Sequence, residues 1–317
     1  MTELTAEAVA EHSREMIRQG SRSFSAAAML FDAETRADVE MLYAWCRHCD
    51  DVIDGQMLGF ARGDGDDARP PEERLEDLQA QTRAALDRAP QSDPVFEAFQ
   101  RVALKHQMPE RYPLDLLAGF AMDVSERRYE TITDVLDYCY HVAGCVGLMM
   151  AVVMGVRDRE TLLRAHDLGI AFQLTNISRD VIEDAMGGRV YLPAEWLSEA
   201  GVGAAPADVA DPQNRAGVAK AAARLLSLAD AYYDSSLEGI KRLNFRCGLA
   251  IAAARGVYRD IGVKVRARGA RAWDARVYTS GGRKLALTAG AVFRVLRMKL
   301  GGTEMRPRAD LWTKPGI

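Results

Sequence analysis

The segment from Ala33 to Asp54 reads AETRADVEMLYAWCRHCDDVID and has the spacing of one long amphipathic helix. Its apolar side chains recur every three or four residues and share one helix face: Leu42, Trp45, Cys46, Cys49 and Ile53. A stripe of this kind is buried when the helix packs against other helices. The segment therefore predicts a core helix whose acidic end, Asp50 to Asp54, lies beside that core.

Helix-forming residues also dominate the chain on both sides of this segment, and runs of alternating Val, Ile and Thr are scarce. We expect helices at residues 2–19, 72–89, 94–106, 113–123, 133–154, 158–185, 214–242, 246–268 and 282–300. Residues 55–71 read as a loop and residues 194–213 as a loop with short helix. The pattern predicts a single all-α domain over residues 1–317, with helices packed around a central space. Its core would span roughly residues 15–300, and the tail at 301–317 would be flexible.

Composition excludes several classes of protein. Of the 317 residues, 48% are hydrophobic and 27% are charged, as in ordinary globular proteins. Lys and Arg number 41 and Asp and Glu number 45, so the formal charge is −4, which argues against a nucleic-acid partner. The five scattered cysteines form no disulfide pattern and favour a reducing, cytoplasmic location.

Two apolar segments raise the question of a membrane. Val142–Val156 is shorter than the roughly 20 residues that a membrane span needs, so we predict a buried helix there. Its small and flexible side chains suit the wall of an apolar cavity or ordinary core packing equally: Gly144, Gly147, Met149, Met150 and Met154. Arg283–Leu300 is apolar with several cations. We favour a final core helix there over a helix that contacts a membrane surface.

Two acidic clusters stand out from this helical background. Asp50 and Asp54 are four residues apart in one predicted helix, and Asp180 and Asp184 repeat that spacing in another. Side chains at i and i+4 lie on the same helix face, so each pair is mutually repulsive and weakens its own helix. A solvated acidic face would explain either pair alone, but two such pairs in otherwise apolar helices indicate a function.

Paired carboxylates of this kind suit Mg²⁺ or Mn²⁺, because Mg²⁺ binds one or two carboxylates and completes its coordination with water and phosphate oxygens. Asn176 shares a face with Asp180 and offers another hard oxygen, and Gln173 lies one turn before it. Arg47 and Arg179 add guanidinium groups that match phosphate oxygens. The metal ligands that we expect around a diphosphate are Asp50, Asp54, Asn176, Asp180 and Asp184.

Four motifs occur in an order that resembles one enzyme family. They are S-R-S-F at Ser21–Phe24, Y-A-W-C-R-H-C-D-D-V-I-D at Tyr43–Asp54, Y-C-Y-H-V-A-G-C-V-G at Tyr138–Gly147 and Q-L-T-N-I-S-R-D-V-I-E-D at Gln173–Asp184. Together they resemble the squalene/phytoene synthase family. G-R-V-Y-L-P at Gly188–Pro193 is similar to its phytoene-forming branch in particular. The resemblance spans roughly residues 21–278.

This resemblance implies the all-α isoprenoid synthase fold with a central cavity. It also implies a transferase that joins two molecules of an allylic diphosphate head to head, with geranylgeranyl diphosphate expected as substrate. The reaction would pass through a cyclopropyl (prephytoene) diphosphate and would not use NADPH. Two alternatives stay open. One is a family member that uses farnesyl diphosphate to make squalene, dehydrosqualene or hydroxysqualene, and the other is a non-catalytic assembly factor of the same fold.

The resemblance also implies roles outside the acidic clusters. The residues that would contact diphosphate are Arg47, Gln173, Arg179 and, closing over it, Arg276. Those that would line the ionisation end are Ser21, Ser23 and Phe24. Three tyrosines would bind or orient the substrate, the second of them as a catalytic residue: Tyr43, Tyr140 and Tyr258.

Overall fold

A computed structural model describes residues 5–20, 22–57, 60–61, 69–301, 304–308 and 310–317 of the chain. Within these ranges, nearly all regular structure is helical. The helices are α1 (Ala6–Gly20), α2 (Arg22–Ala28), α3 (Ala33–Asp54), α4 (Pro71–Leu86), α5 (Pro94–Lys105), α6 (Arg111–Val124), α7 (Ile132–Cys139), α8 (Cys145–Val153), α9 (Arg159–Met186), α10 (Ala194–Glu199), α11 (Pro206–Ala210), α12 (Arg215–Ile240), α13 (Phe245–Arg268) and α14 (Gly281–Leu300). The predicted all-α fold class is confirmed.

The remaining elements are short. A π-helical turn, Tyr140–Gly144, joins α7 to α8, and 3₁₀ turns lie at Pro212–Asn214 and Gly269–Arg271. Strands β1 (Gln56–Met57) and β2 (Phe60–Ala61) pair antiparallel, with Gln56 opposite Ala61 and Met57 opposite Phe60. The hairpin lies inside the predicted loop at 55–71 and does not change the fold class.

Local signals explain where the long helices begin and end. The Asp32 side chain accepts a 2.9 Å hydrogen bond from the Thr35 amide and caps α3, and Gly55 ends that helix with a left-handed φ of 62°. Asp158 caps α9 in the same way through the Thr161 amide, at 2.9 Å. Short polar side chains at these positions satisfy amides that the first helical turn leaves unpaired. The predicted bounds of α3 are therefore confirmed at both ends.

Helix α9 lies in the middle of the bundle, where it packs against α8, α12 and α13. Glycines allow an unusually close approach on one side. A Cβ at Gly169 would lie 2.3 Å from the Ala143 carbonyl oxygen, and a Cβ at Gly147 would lie 2.4 Å from that of Ala165. Backbone therefore touches backbone here, which fixes the position of α9, the helix that carries the second acidic cluster.

Replacing Gly169 with alanine is expected to destabilise the protein by about 3 kcal/mol, because the obstructing atoms are backbone and cannot rotate away. Urea denaturation followed by far-ultraviolet circular dichroism measures the change. Gly290→Ala is the matched control, since nothing lies within 4 Å of its added Cβ. It is expected to gain up to about 1 kcal/mol from helix propensity. Equal stabilities for the two variants would contradict the close packing.

The apolar segment Val142–Val156 belongs to the core, as predicted. Among the described residues, one helical stretch, Ile132–Val153, is long and apolar enough to cross a membrane. However, 67% of its most apolar window is buried inside the protein. We therefore describe it as a core segment.

Helix α14 corrects the sequence-based preference for a final core helix. Its only buried side chains are Ala291 and Val295, and it lies along the outside of α13. A Cβ at Gly256 of α13 would meet Leu287 at 3.8 Å, and one at Gly248 would meet Val295 at 3.7 Å. The sequence alone could not tell a core helix from a surface helix here, because an apolar helix with several cations is compatible with both.

The described part of the tail packs on the bundle, which differs from the frayed end that the sequence predicts. Asp167 on α9 is fully buried, and Arg308 donates hydrogen bonds of 2.6 and 2.9 Å to its two carboxylate oxygens. Lys314 lies 2.8 Å from Asp137. A buried carboxylate is costly unless a cation pairs with it, and the sequence does not reveal that Asp167 is buried.

Candidate active site

An apolar cavity of about 570 Å³ runs through the bundle. It is bounded by residues of α1, α2, α3, α6, α7, α8, α9, α12 and α13. Of the flexible and small residues singled out in the sequence, Gly147, Met150 and Met154 line this cavity. Met149 and Gly144 are buried and are not among the lining residues. The segment thus serves both as cavity wall and as core.

A smaller polar cavity of about 150 Å³ adjoins the apolar one. Asp50, Asp123 and Asn176 are among the residues that line both cavities, so the polar pocket opens onto the apolar space. The lining of the polar pocket includes both predicted acidic pairs, from two helices that are distant in sequence: Asp50, Asp54, Asp180 and Asp184. The structure therefore brings the two clusters to one site.

Arginines pair with carboxylates around this site. Arg47 lies 3.0 Å from Asp50, and Arg179 donates to Asp180 at 2.8 Å. Arg276 lies 3.4 Å from Asp180. These guanidinium groups supply positive charge next to oxygens that would otherwise repel one another. They can also bind the oxygens of a phosphate.

Burial gives the acidic clusters unusual titration. It raises the pKa of Asp50 to about 7, although Arg47 opposes the rise. Burial, together with the charges of Asp180 and Glu183, raises the pKa of Asp184 to about 8. Clustered carboxylates are costly to ionise unless a cation joins them. A divalent cation would have to displace these protons to bind here.

The donor set fits a hard divalent cation. The Asn176 side-chain oxygen is buried with no hydrogen-bond partner, while its amide nitrogen lies 3.3 Å from the Gln173 side-chain oxygen. Within the described residues, no three His, Cys, Asp or Glu side chains lie close enough to form a preformed metal site. The two facing acidic pairs would thus need oxygens from a diphosphate to complete the coordination, as Mg²⁺ commonly does.

Aromatic rings lie beside the arginine-rich end of the apolar cavity. The Phe24 ring centroid lies 5.8 Å from that of Tyr43 and 5.6 Å from that of Tyr258. Phe172 stacks on Tyr258 at 4.3 Å. All four rings line the cavity that Arg47 also lines. Aromatic faces carry negative potential and attract cations in dry surroundings.

Most of the other predicted site residues also lie at this cavity. Those that line it are Phe24, Tyr43, Arg47, Gln173, Arg179, Tyr258 and Arg276. Ser21 lies outside the described residues, as does the side chain of Ser23, whose backbone belongs to α2. Tyr140 differs from the prediction: it lines neither cavity but is buried, with its hydroxyl donating to Asp115.

Sequence reasoning missed a second group of polar residues at the site. The hydroxyls of Tyr138 and Tyr191 donate to the two oxygens of Asp123, at 3.0 and 2.8 Å. Burial raises the pKa of Asp123 to about 6. Arg189 lies 2.9 Å from Asp54. Tyr138, Arg189 and Tyr191 fall within the quoted motifs, which was the available signal. Asp123 has no such signal.

The pKa of Asp184 makes the stability of the metal-free protein depend on pH. An unfolded aspartate loses its proton near pH 4, whereas folded Asp184 keeps it up to about pH 8. Between these values the folded state holds the extra proton, so raising the pH lowers the free energy of unfolding. In EDTA at pH 8, Asp184→Asn is expected to be more stable than wild type, because the amide avoids the cost of ionising a buried carboxyl, which is at most about 1.4 kcal/mol per pKa unit. At pH 5 the difference should shrink, and a difference independent of pH would contradict this expectation.

Comparisons with known proteins agree with this geometry. The sequence profile of the squalene/phytoene synthase family matches residues 17–283. A phytoene synthase of Pseudescherichia vulneris is 53% identical over 96% of this chain and 97% of its own length. A 15-cis-phytoene synthase of Enterobacter agglomerans is 52% identical over 93% and 99%, respectively. A crystal structure of a dehydrosqualene synthase in complex with ligand has a TM-score of 0.80 and 28% identity, covering 92% of this chain and 98% of its own.

Proposed function

The chain belongs to the squalene/phytoene synthase family, and we infer from this membership that it is a phytoene synthase, a prenyltransferase of carotenoid biosynthesis. The observation that carries the inference is identity above 50% over nearly the whole chain to relatives of that name. We propose that its substrate is geranylgeranyl diphosphate and that it acts in the cytoplasm. An apolar cavity that ends at an acidic, arginine-lined pocket supports a prenyl diphosphate substrate.

The acidic pocket is the proposed diphosphate site. Its metal ligands would be Asp50, Asp54, Asn176, Asp180 and Asp184. Bound Mg²⁺ would neutralise charge on the departing diphosphate and so assist cleavage of the allylic C–O bond. Arg47, Arg179 and Arg276 would bind the remaining diphosphate oxygens. They would exchange their carboxylate partners for phosphate as the substrate enters.

The apolar cavity would hold the two prenyl chains and exclude water. Ionisation of one substrate leaves an allylic cation, and the 2,3 double bond of the other attacks it. Loss of a proton then gives the cyclopropyl diphosphate. This intermediate ionises in turn, rearranges and loses a second proton to form phytoene. The rings of Phe24, Tyr43, Phe172 and Tyr258 would stabilise positive charge through their faces, while the apolar wall keeps away water that would trap the cation.

We propose that Asp123 and Tyr138 take the substrate-orienting role that the resemblance implies for Tyr140. Both residues line the junction of the polar and apolar cavities, whereas Tyr140 is tied to Asp115 in the core. Asp123 is held in place by two tyrosine hydroxyls. We assign these residues to the ionisation end of the site, where they orient the diphosphate and the bond that breaks.

The family also contains enzymes named for squalene and dehydrosqualene, which would imply a shorter farnesyl substrate. The lower identity of the dehydrosqualene synthase, 28%, favours the phytoene assignment. A non-catalytic assembly factor is disfavoured because all four aspartates of the two acidic pairs meet at one pocket.

Product analysis tests the proposed function. Purified protein is incubated with Mg²⁺ and either geranylgeranyl or farnesyl diphosphate, without NADPH, and the extracts are analysed by mass spectrometry. From the C20 substrate we expect phytoene, a C40 hydrocarbon with three conjugated double bonds at its centre. Two diphosphates should be released for each molecule of hydrocarbon. A C30 product formed in preference to the C40 product would overturn the substrate assignment. Absence of any hydrocarbon would overturn the enzymatic assignment.

A further inference from the structure

One surface of the protein has no role in the proposed reaction and is unusually apolar. Helix α14 exposes large side chains on the outside of the bundle: Leu285 at 74%, Phe293 at 71%, Leu296 at 47% and Leu300 at 89%. With Ala289, they are spaced at intervals of three or four residues and share one side of the helix. We call these five residues the outer face of α14.

Cations border the outer face, and acids are missing from the helix. Helix α14 contains five basic residues and no acidic one, in a chain whose formal charge is −4. Arg294 and Arg297 are exposed and lie on one flank of the outer face. Arg283 bonds Asp260 of α13 at 2.9 Å, and Lys299 is anchored to the Lys241 carbonyl oxygen at 2.7 Å. The exposed surface of α14 thus combines the apolar outer face with the two arginines on its flank.

The side of α14 opposite the outer face packs against the bundle. Ala291 and Val295 are buried against neighbouring helices, and Val295 faces Gly248 of α13. Other residues of α13, Ile251 and Tyr258 among them, line the apolar cavity. One helix therefore separates the outer face from the space where the hydrocarbon would form. Tyr278, three residues before α14, is also exposed, at 73%.

We propose that the outer face of α14 binds the surface of a bilayer that contains anionic lipids, parallel to the membrane plane. An apolar stripe edged by cations is the pattern of interfacial helices, whose apolar side chains enter the headgroup region while basic residues meet lipid phosphates. The rationale rests on the proposed function, since a water-insoluble C40 hydrocarbon needs a bilayer to receive it.

Vesicle co-sedimentation tests the proposal on the full-length protein. Vesicles of phosphatidylcholine alone are compared with vesicles that also contain phosphatidylglycerol. We expect binding to the anionic vesicles that weakens as salt is raised. Phe293→Ser/Leu296→Ser and Arg294→Glu/Arg297→Glu should each lower the partition coefficient by roughly tenfold or more. The matched controls, Leu104→Ser and Lys220→Glu, alter exposed residues on α5 and α12 and should bind as wild type does.

Three results would overturn the proposal: no binding of wild type to anionic vesicles, equal losses in the controls, or vesicle binding unchanged in both α14 variants. If vesicle binding is unchanged in both α14 variants, size-exclusion chromatography shows whether the face binds a second copy instead. In that case the wild type would be a dimer and the Phe293→Ser/Leu296→Ser variant a monomer. Turnover in detergent is measured for every variant. Turnover without vesicle binding refutes the membrane face alone, and binding without turnover refutes the proposed function alone.

Discussion

Replacing Asp50 or Asp184 with alanine is expected to lower kcat by about a thousandfold while leaving the fold intact. Each side chain lines the polar pocket, and each is a proposed metal ligand. A ligand's loss removes charge stabilisation that matters most when the diphosphate departs. That contribution is several kcal/mol at the transition state, and about 4 kcal/mol corresponds to a thousandfold change in rate.

Steady-state kinetics with the C20 diphosphate measures this effect, and circular dichroism checks the fold. Glu76→Ala, an exposed residue on α4, is the control and should retain wild-type kcat. The two alanine variants should also lose activity together with affinity for Mg²⁺. Near wild-type kcat in either variant would mean that its carboxylate does not serve the reaction, and the metal assignment would be wrong.

Removing divalent metal is expected to have a still larger effect. Both acidic pairs line the polar pocket, and Arg47, Arg179 and Arg276 line the adjoining apolar cavity. Arginine alone would leave much of the charge on a departing diphosphate uncompensated. Dialysis against EDTA should therefore abolish turnover, and added Mg²⁺ or Mn²⁺ should restore it. NADPH should change neither the rate nor the product, because the proposed reaction contains no reductive step.

The measurement is diphosphate release in metal-free buffer, followed by titration with each cation. Ca²⁺, which prefers longer bonds and higher coordination numbers, serves as the comparison and should restore far less activity. Turnover that persists in EDTA would contradict the metal-assisted mechanism. A requirement for NADPH would instead point to a squalene-forming enzyme.

The acidic site could be predicted from the sequence because its signals are local. Asp50 and Asp54 share a helix face by spacing alone, as do Asp180 and Asp184. The helix that carries the first pair is bounded by Asp32 and Gly55, both recognisable as helix-terminating residues. What spacing could not give was the convergence of the two pairs, since that depends on how α3 and α9 pack.

The polar residues that the sequence analysis did not name lack a local signal. Tyr138 and Tyr140 are two residues apart, so in a helix they point to nearly opposite sides. The sequence does not say which side faces the cavity. Asp123 is a single acidic residue on α6, and only its contacts with Tyr138 and Tyr191 identify it. The exposure of helix α14 and the burial of Asp167 also lack a local signal. Both depend on how all the helices pack together, which the sequence around them does not reveal.

The central claim is that two acidic pairs hold one diphosphate through divalent metal, and anomalous scattering can test it directly. Crystals are grown with Mn²⁺ and a non-hydrolysable thio analogue of geranylgeranyl diphosphate, and data are collected at the manganese edge. The account predicts manganese peaks between the carboxylates of Asp50/Asp54 and Asp180/Asp184, bridged by diphosphate oxygens, with the prenyl chain in the apolar cavity. A diphosphate bound elsewhere, or manganese peaks that touch neither acidic pair, would contradict it.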